Sequence, residues 1–135
     1  MNNLTDLFTL LEVTRAQPQY GYALSGLKQH ELSNLAEHHY LVTVIAWQLA
    51  LMVQKQGAAI NVQKVLEFTL IHDLGELFGG DIGMPYAKAN PKARELAKAF
   101  EAENQNFLAQ FFGEQKSRYL KLSQEIMDAK SDEAI

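Results

Sequence analysis

The sequence predicts an all-α fold, a bundle of about five to six helices that forms a single domain over residues 1–135. Apolar residues recur at intervals of three and four, which is the spacing of helices that bury one face. Residues that cap helices stand just before several of these apolar segments. No segment alternates polar and apolar residues for long enough to indicate a sheet. A chain of 135 residues with 47% hydrophobic and 21% charged residues suits one globular domain.

The first half of the chain is predicted to hold three helices. The first spans about residues 4–15 and ends before a loop that contains proline and glycine. The second spans about residues 34–56, because Asn34 and Glu37 fit a capping box. Its middle, LVTVIAWQLALMV, is apolar on almost every side, which predicts a central and buried helix. The third spans about residues 61–73 and is followed by glycines.

The second half is predicted to hold two more helices. Asn90-Pro91 marks the start of the fourth, which runs to about residue 113, because asparagine caps helices and proline suits the first helical position. The fifth spans about residues 114–129. The last five residues, SDEAI, look like the first turn of another helix, since a capping serine precedes two acids. We therefore expect this domain to lack a C-terminal helix.

The composition excludes several classes of function. Twelve basic against sixteen acidic residues give a formal net charge of -4, which argues against a nucleic-acid partner and against a polybasic membrane anchor. The chain has no cysteine, so disulfides and thiolate zinc sites are excluded. The N-terminus lacks the basic region of a secretory signal, and the longest apolar stretch is shorter than the roughly 20 residues of a membrane span. We expect a cytoplasmic protein.

The residues that suit chemistry are few, because the chain has only four histidines. Imidazole and carboxylate are the natural ligands of a divalent metal where no thiolate is present. Adjacent helical residues point about 100° apart, so His72 and Asp73 can share a metal only near the end of their helix. His38, on another helix, is the candidate for a third ligand. The alternative is that these residues are incidental, since His-Asp pairs are common and a histidine near a helix start is often just polar surface.

Three stretches of this sequence resemble one family. They are Glu37-His38, the segment LIHDLGELFGGDI over residues 70–82, and Met84-Pro85-Tyr86. Together they resemble the HD-domain metal-dependent phosphohydrolases, and within these the nucleotidase-like branch of 5'-deoxynucleotidase type. The resemblance covers residues 15–135. It implies an HD-domain-like helical bundle that binds one divalent transition metal (Mn, Co, Zn, Fe or Ni). It also implies removal of phosphate from (deoxy)nucleoside monophosphates by a metal-activated water, and a possible homodimer.

The resemblance also assigns roles to individual residues. It implies three metal ligands, which are His38, His72 and Asp73. Glu76 would support the chemistry beside the attacking water, and Asp81 would contact the substrate sugar or order the site. Arg15 is the candidate for binding the phosphate. His39 occupies the position after the first ligand, and we expect that it does not bind the metal. Without the resemblance, Glu76 could equally be an exposed carboxylate, and Asp81 could equally be a turn or cap residue.

One part of the family pattern is missing from this sequence. The family's fourth ligand is an aspartate on a later helix, which follows a helix start like the one at Ser131. Asp128 and Asp132 stand too early for this pattern, so we expect neither to be the ligand. Water or a residue from elsewhere would complete the site, or the site would be weak. Besides Arg15, Lys88 and Lys92 are cations that could stabilise a phosphate, although solvated surface positions suit them better.

Two other functions compete with hydrolysis. The first is a catalytically weak nucleotide-binding or regulatory HD domain, which an incomplete metal site would explain. The second is a structural helical domain that acts through partners. Seven phenylalanines in a small helical chain would support such a role by supplying an interface.

Overall fold

The computed structural model describes residues 4–134, which form six α-helices joined by short turns of 3-10 helix. The helices are α1 (Leu4–Leu11), α2 (Leu35–Lys55), α3 (Val62–Ile71), α4 (Met84–Ala89), α5 (Pro91–Ala109) and α6 (Lys116–Asp128). The 3-10 turns are Glu12–Arg15, Tyr20–Ser25, Gln29–Glu31, Leu74–Phe78 and Gln110–Gln115. These residues form no strand, only an isolated bridge between Pro18 and Asn34. The all-α prediction is confirmed.

Asparagine caps begin three of the long helices. The Asn34 Oδ1 atom accepts a hydrogen bond from the Glu37 amide at 2.9 Å, and a Glu37 carboxylate oxygen accepts one from the Asn34 amide at 3.1 Å. The predicted capping box of α2 is therefore present. Asn61 and Asn90 cap α3 and α5 in the same way, through the amides three residues on.

The core lies where α5 and α6 meet the Leu74–Phe78 turn and the start of α2. Its buried apolar side chains are Leu35, Leu74, Leu77, Leu108, Ala109 and Tyr119. Within it, the Asn104 side chain of α5 donates a buried hydrogen bond of 2.8 Å to the carbonyl oxygen of Gly75. Because a buried carbonyl without a partner is costly, this bond fixes the turn against α5.

The prediction that α2 is buried is wrong for most of its length. Its side toward α3 is covered, but Leu41, Ile45, Leu49 and Met52 are each at least half exposed. The reason is that a helix apolar on all sides needs neighbours all round, and α3 is the principal one here. We call these four residues the α2 face. No helix in residues 4–134 is long and apolar enough to cross a membrane.

Several element boundaries also differ from the sequence prediction. The short α4 was not predicted, and the predicted helix over residues 90–113 ends at Ala109. Of the apolar residues of α1, only Leu7 is buried. Residues 131–134 form a turn in which Glu133 accepts a hydrogen bond of 3.1 Å from the Asn61 amide. The last residue of the predicted helix start, at position 135, lies outside the described residues.

Candidate active site

Three side chains from two helices converge on one point. His38 lies in the first turns of α2, and His72 and Asp73 directly follow α3. The Nε2 atoms of the two histidines are 3.1 Å apart. The Asp73 Oδ2 atom lies 3.1 Å from Nε2 of His38 and 3.2 Å from Nε2 of His72. Ligand atoms about 2.0–2.1 Å from a tetrahedral ion lie roughly 3.3 Å apart, so this triangle has the size of a metal site.

The ring of His72 is oriented by the helix that carries it. Its Nδ1 atom lies 2.9 Å from the carbonyl oxygen of Thr69, so the Nδ1 hydrogen is donated there and Nε2 faces the centre. Burial by itself would lower the pKa of His72, but the hydrogen bond and charge of Asp73 raise it. Burial would raise the pKa of Asp73, and the bond from His72 with the nearby imidazoles holds it below its ordinary value.

This donor set fits a divalent transition metal. Two imidazole nitrogens and one carboxylate oxygen suit Mn, Fe, Co, Ni or Zn. Among residues 4–134, these three are the one group of such side chains whose ligand atoms all lie within 4.8 Å of one another. Asp128 lies at the end of α6 and pairs with Lys130 at 3.2 Å. The described residues therefore offer three protein ligands at this centre.

His39 packs behind the centre and does not face it. Its side chain is only 8% exposed, and its ring meets the ring of His72 edge-on with centroids 4.9 Å apart. Its Nε2 atom is buried and has no hydrogen-bond partner among the described residues. Burial, followed by the charge of His72, lowers the pKa of His39 to about 4, so the ring is neutral near pH 7. That His39 is not a ligand remains a prediction.

Carboxylates border the centre on one side. Glu76 lies in the Leu74–Phe78 turn, and burial, then the charges of Asp73, Asp81 and Glu101, raise its pKa to about 8. Glu101 of α5 is itself partly buried, and burial with the charge of Asp73 raises its pKa too. A carboxyl group that keeps its proton near neutral pH can donate it to a leaving group.

A cavity of about 330 Å³ opens beside the three converging side chains. His38, Asp73, Glu76 and Asp81 line it. Residues of the Tyr20–Ser25 turn and residues 82–85 complete the lining. This volume lies in the range typical of sites for small molecules. The cavity thus adjoins four of the predicted site residues, and His72 lies immediately behind them.

Arg15, the predicted phosphate ligand, lies elsewhere. Its guanidinium pairs with Glu12 at 2.9 Å, and its side chain is 74% exposed. It lines a separate shallow depression with Glu37 and Tyr40. Lys92 pairs with Glu95 at 3.0 Å on the surface of α5. Within the described part of the chain, no lysine or arginine lines the 330 Å³ cavity.

A second cleft of about 210 Å³ adjoins the first and brings two cations near the site. Glu76 and Asp81 line both clefts, and Arg94, Lys98 and Glu101 of α5 line the second. Sequence reasoning missed these three α5 residues. Their only sequence signal is a spacing of four and three on one helix face, which becomes informative once α5 is known to cross the site.

The comparison with known families decides which proteins this chain is related to. The model of the family described as "5'-deoxynucleotidase YfbR-like" matches residues 23–134. The chain belongs to the YfbR-like 5'-deoxynucleotidase family. The predicted relationship to the nucleotidase-like branch of the HD-domain proteins is thereby confirmed.

The relatives of this YfbR-like chain align with different shares of its length. A 5'-deoxynucleotidase of Pasteurella multocida is 34% identical over 79 residues, and one of Vibrio vulnificus is 35% identical over 78. These alignments cover 57% and 56% of this chain, and 40% of each relative. A 5'-deoxynucleotidase of Dictyostelium discoideum is 26% identical across the whole chain, which covers 70% of that relative. This chain therefore aligns with well under half the length of the bacterial relatives.

Solved structures resemble the YfbR-like chain over nearly its whole length. A conserved hypothetical protein from Pyrococcus furiosus superposes with a TM-score of 0.72 and is 28% identical. That match covers 96% of this chain and 70% of the other. The PH0347 protein from Pyrococcus horikoshii superposes with a TM-score of 0.69. The arrangement of helices is therefore one that other chains adopt.

Proposed function

We propose that this protein is a metal-dependent phosphohydrolase that removes phosphate from (deoxy)nucleoside monophosphates. The observation that carries the proposal is the triangle of His38, His72 and Asp73, which has metal-site dimensions and adjoins a cavity of about 330 Å³. Membership of a family of 5'-deoxynucleotidases supports the choice of substrate class. We propose a cytoplasmic location, because such an enzyme needs access to nucleotides.

The reaction joins water to a phosphate monoester. A bond forms between the water oxygen and phosphorus, and the water gives up a proton. The bond from phosphorus to the sugar oxygen breaks, and the sugar oxygen gains a proton. A divalent metal, when bound, supplies Lewis acidity and lowers the pKa of water. Glu76 lines the cavity with a pKa of about 8 in the metal-free chain, so it can hold or deliver the proton that the sugar oxygen needs.

Charge on the phosphate needs cations besides the metal. Arg94 and Lys98 line the cleft that shares Glu76 and Asp81 with the substrate cavity, so we propose that they supply this charge. Arg94→Ala is then expected to raise KM for a nucleoside monophosphate about tenfold, the cost of one charge-assisted contact. Arg15→Ala is the matched comparison. A larger rise in KM for Arg15→Ala than for Arg94→Ala would show that Arg15 binds the phosphate, as the resemblance implies.

The first experiment measures divalent metal per chain by elemental analysis, and then phosphate release from deoxy- and ribonucleoside monophosphates. We expect close to one equivalent after incubation with manganese, cobalt or zinc, and release that depends on the metal. His30→Ala is the control, because His30 is exposed and lies in the Gln29–Glu31 turn. Absence of metal from the wild-type chain under all these conditions would contradict the proposal.

The second candidate function is nucleotide binding without efficient hydrolysis. The observation that favours it is that only three protein ligands gather at the centre within residues 4–134. A ligand that binds the native state raises its stability by mass action. A nucleotide that raises the melting temperature of the metal-loaded chain, with no phosphate released, would favour this second function over the first.

We also propose that a second copy of this chain covers the α2 face. Residues 40–54 carry no charged side chain, and the half-exposed apolar residues on this stretch form a continuous stripe. Such a stripe can pair with itself across a two-fold axis. Exposed apolar patches of this kind mark interaction sites more often than solvated surface.

A further inference from the structure

Residues 19–33, which include the Tyr20–Ser25 turn that lines the substrate cavity, form an excursion, a loop that leaves the helical body and returns to it. Its two ends are tied together, because the Gln19 amide donates to the carbonyl oxygen of Ser33 at 3.1 Å. The Ser33 hydroxyl returns a hydrogen bond of 2.9 Å to the Gln19 side chain. The Leu35 amide, at the start of α2, donates to the carbonyl oxygen of Gln17 at 2.9 Å. The excursion therefore begins and ends beside the first turn of α2, which carries His38.

The tip of this excursion is held by a residue 60 positions away. The Gly21 amide donates a hydrogen bond to Oδ2 of Asp81, which follows the two glycines after the Leu74–Phe78 turn. A Cβ atom at position 21 would fall on the carboxylate of Asp81. A Cβ atom at position 83 would fall on the carbonyl oxygen of Gly21. Gly83 lets the two backbones approach this closely, and Gly21 leaves room for the Asp81 carboxylate.

Space, and not backbone conformation, explains both glycines. The φ angle of Gly83 is -55°, and neither Gly21 nor Gly83 has a positive φ. An alanine could adopt either conformation, but at position 83 its Cβ atom would meet backbone, and at position 21 it would displace the Asp81 carboxylate. The contact between the two loops therefore depends on these two glycines and the carboxylate between them.

We propose that Gly21, Asp81 and Gly83 form a clasp that positions the Tyr20–Ser25 turn as the substrate-facing wall of the cavity. The clasp rests on the proposed function, because its effect on substrate is an effect on nucleotide hydrolysis. Gly21 is a positioning residue in this scheme, since it acts through the wall that it anchors. Tyr22 and Ser25 are the side chains that the clasp presents to the cavity. The Asp81 carboxylate serves the wall rather than the substrate.

The test compares three variants of the full chain. Gly21→Ala places a methyl group on the carboxylate, Asp81→Ala removes the acceptor, and Asp81→Asn keeps an oxygen that can accept the same hydrogen bond. Ala23→Ser is the control, because Ala23 is exposed in the same turn. Hydrogen exchange by mass spectrometry follows the peptide that covers residues 19–33. Elemental analysis and steady-state kinetics follow the metal and the substrate.

We expect exchange over residues 20–25 to rise in Gly21→Ala and Asp81→Ala, with the bound metal per chain unchanged. KM should rise about tenfold or more in both variants. In Gly21→Ala, which keeps the charge of Asp81 beside Glu76, kcat should change about twofold or less, because the wall binds substrate and does not touch the reacting atoms. Asp81→Asn should retain most of the wild-type protection from hydrogen exchange and most of the affinity for substrate. Ala23→Ser should behave as the wild type.

Three results would overturn the clasp. Unchanged exchange in both Gly21→Ala and Asp81→Ala would show that the wall is held by other contacts. Raised exchange with an unchanged KM would show that the wall does not position substrate. A rise in KM for Asp81→Asn with a silent Gly21→Ala would place Asp81 on the substrate itself. If the wild-type chain released no phosphate from any nucleotide, the proposed function would fail, and the exchange data alone would decide the clasp.

Discussion

His72 shows how the fold orients a single predicted ligand. Its Nδ1 hydrogen is engaged by the carbonyl oxygen of Thr69, so the other nitrogen points at His38 and Asp73. His39 directly follows His38 on α2, yet the ring of His39 packs edge-on against the ring of His72. A difference of one position along α2 thus separates a ring that faces the centre from one that supports it.

Substitution of these histidines separates the two roles. His72→Ala and Asp73→Ala should each abolish binding of the metal, because two donor atoms do not hold a transition ion against water at micromolar concentration. His39→Ala should retain close to the wild-type metal content, with some loss of thermal stability from the cavity that it leaves. Elemental analysis of the dialysed proteins gives the metal content. Equal metal loss in His39→Ala would show that the wrong histidine had been assigned.

Glu76 gives the molecule a pH dependence with a definite sign. In the metal-free chain burial, then the charges of Asp73, Asp81 and Glu101, raise its pKa from 4.5 to about 8. Between these values the folded carboxyl group keeps a proton that the unfolded chain releases. The unfolded state then binds fewer protons, so the carboxyl group lowers the free energy of unfolding progressively as pH rises.

The variant Glu76→Gln removes this titration and keeps the shape of the side chain. The free energy of unfolding of Glu76→Gln, relative to the wild type, should therefore increase as pH rises from about 4.5 to about 8 and then level off. Urea unfolding of both metal-free proteins at a series of pH values measures this difference. A difference that stays constant across the window would mean that Glu76 has an ordinary pKa.

The sequence indicated the site where chemistry restricted the choice of residues. With four histidines and no cysteine, few sets of metal ligands were possible, and His38, His72 and Asp73 do converge. Arg94, Glu101 and Gly21 were missed, because each reaches the site only through packing between distant segments. Spacing along the chain carries no information about which face of α5 crosses the Leu74–Phe78 turn.

At the scale of elements, the cap of α2 links folding to the site. Asn34 closes a capping box with Glu37 at the turn that carries His38. Asn34→Ala should lower the free energy of unfolding by about 1 kcal/mol, because the Glu37 amide loses the side-chain oxygen that accepts its hydrogen bond. It should also weaken metal binding, since the first turn of α2 frays. Urea unfolding and metal titration measure the two effects.

Asn61→Ala is the matched control for the Asn34 cap. Asn61 caps α3 at its start, eleven residues before His72, so its loss should cost similar stability without weakening metal binding. If both substitutions weakened the metal equally, the effect would come from global stability. The capping box of α2 would then have no special connection to the site.

The starts of the helices were easier to predict than their ends or their burial. A cap is a local device, so Asn34, Asn61 and Asn90 were readable from a few neighbouring residues. The six-residue α4 was missed because it is too short to show a period and carries Pro85 in its first turn. The burial of α2 was predicted wrongly, because hydrophobicity shows what a helix would bury and not what lies beside it.

For the whole molecule, the α2 face is a set of exposed apolar side chains that a monomer leaves in contact with water. The large apolar side chains Leu41, Ile45, Leu49 and Met52 are each half exposed or more, on a stretch without charge. Burial of a full side chain of this kind contributes about 1.5–3 kcal/mol, so the hydrophobic term would favour the proposed pairing of two such faces. The same face would make the isolated chain prone to nonspecific association if it had no specific partner.

A single charge on this face therefore tests its role in the assembly. Ile45→Lys should convert a dimer into a monomer, because a two-fold axis through α2 sets two ammonium groups close together in an apolar interface. The cost to the monomer should be small, since Ile45 is 50% exposed. Asn106→Lys, at an exposed position on α5, adds the same charge elsewhere and should leave the dimer intact. Size-exclusion chromatography with light scattering gives the mass of each protein. A wild-type chain that stays monomeric at high concentration would show that the α2 face does not pair with itself.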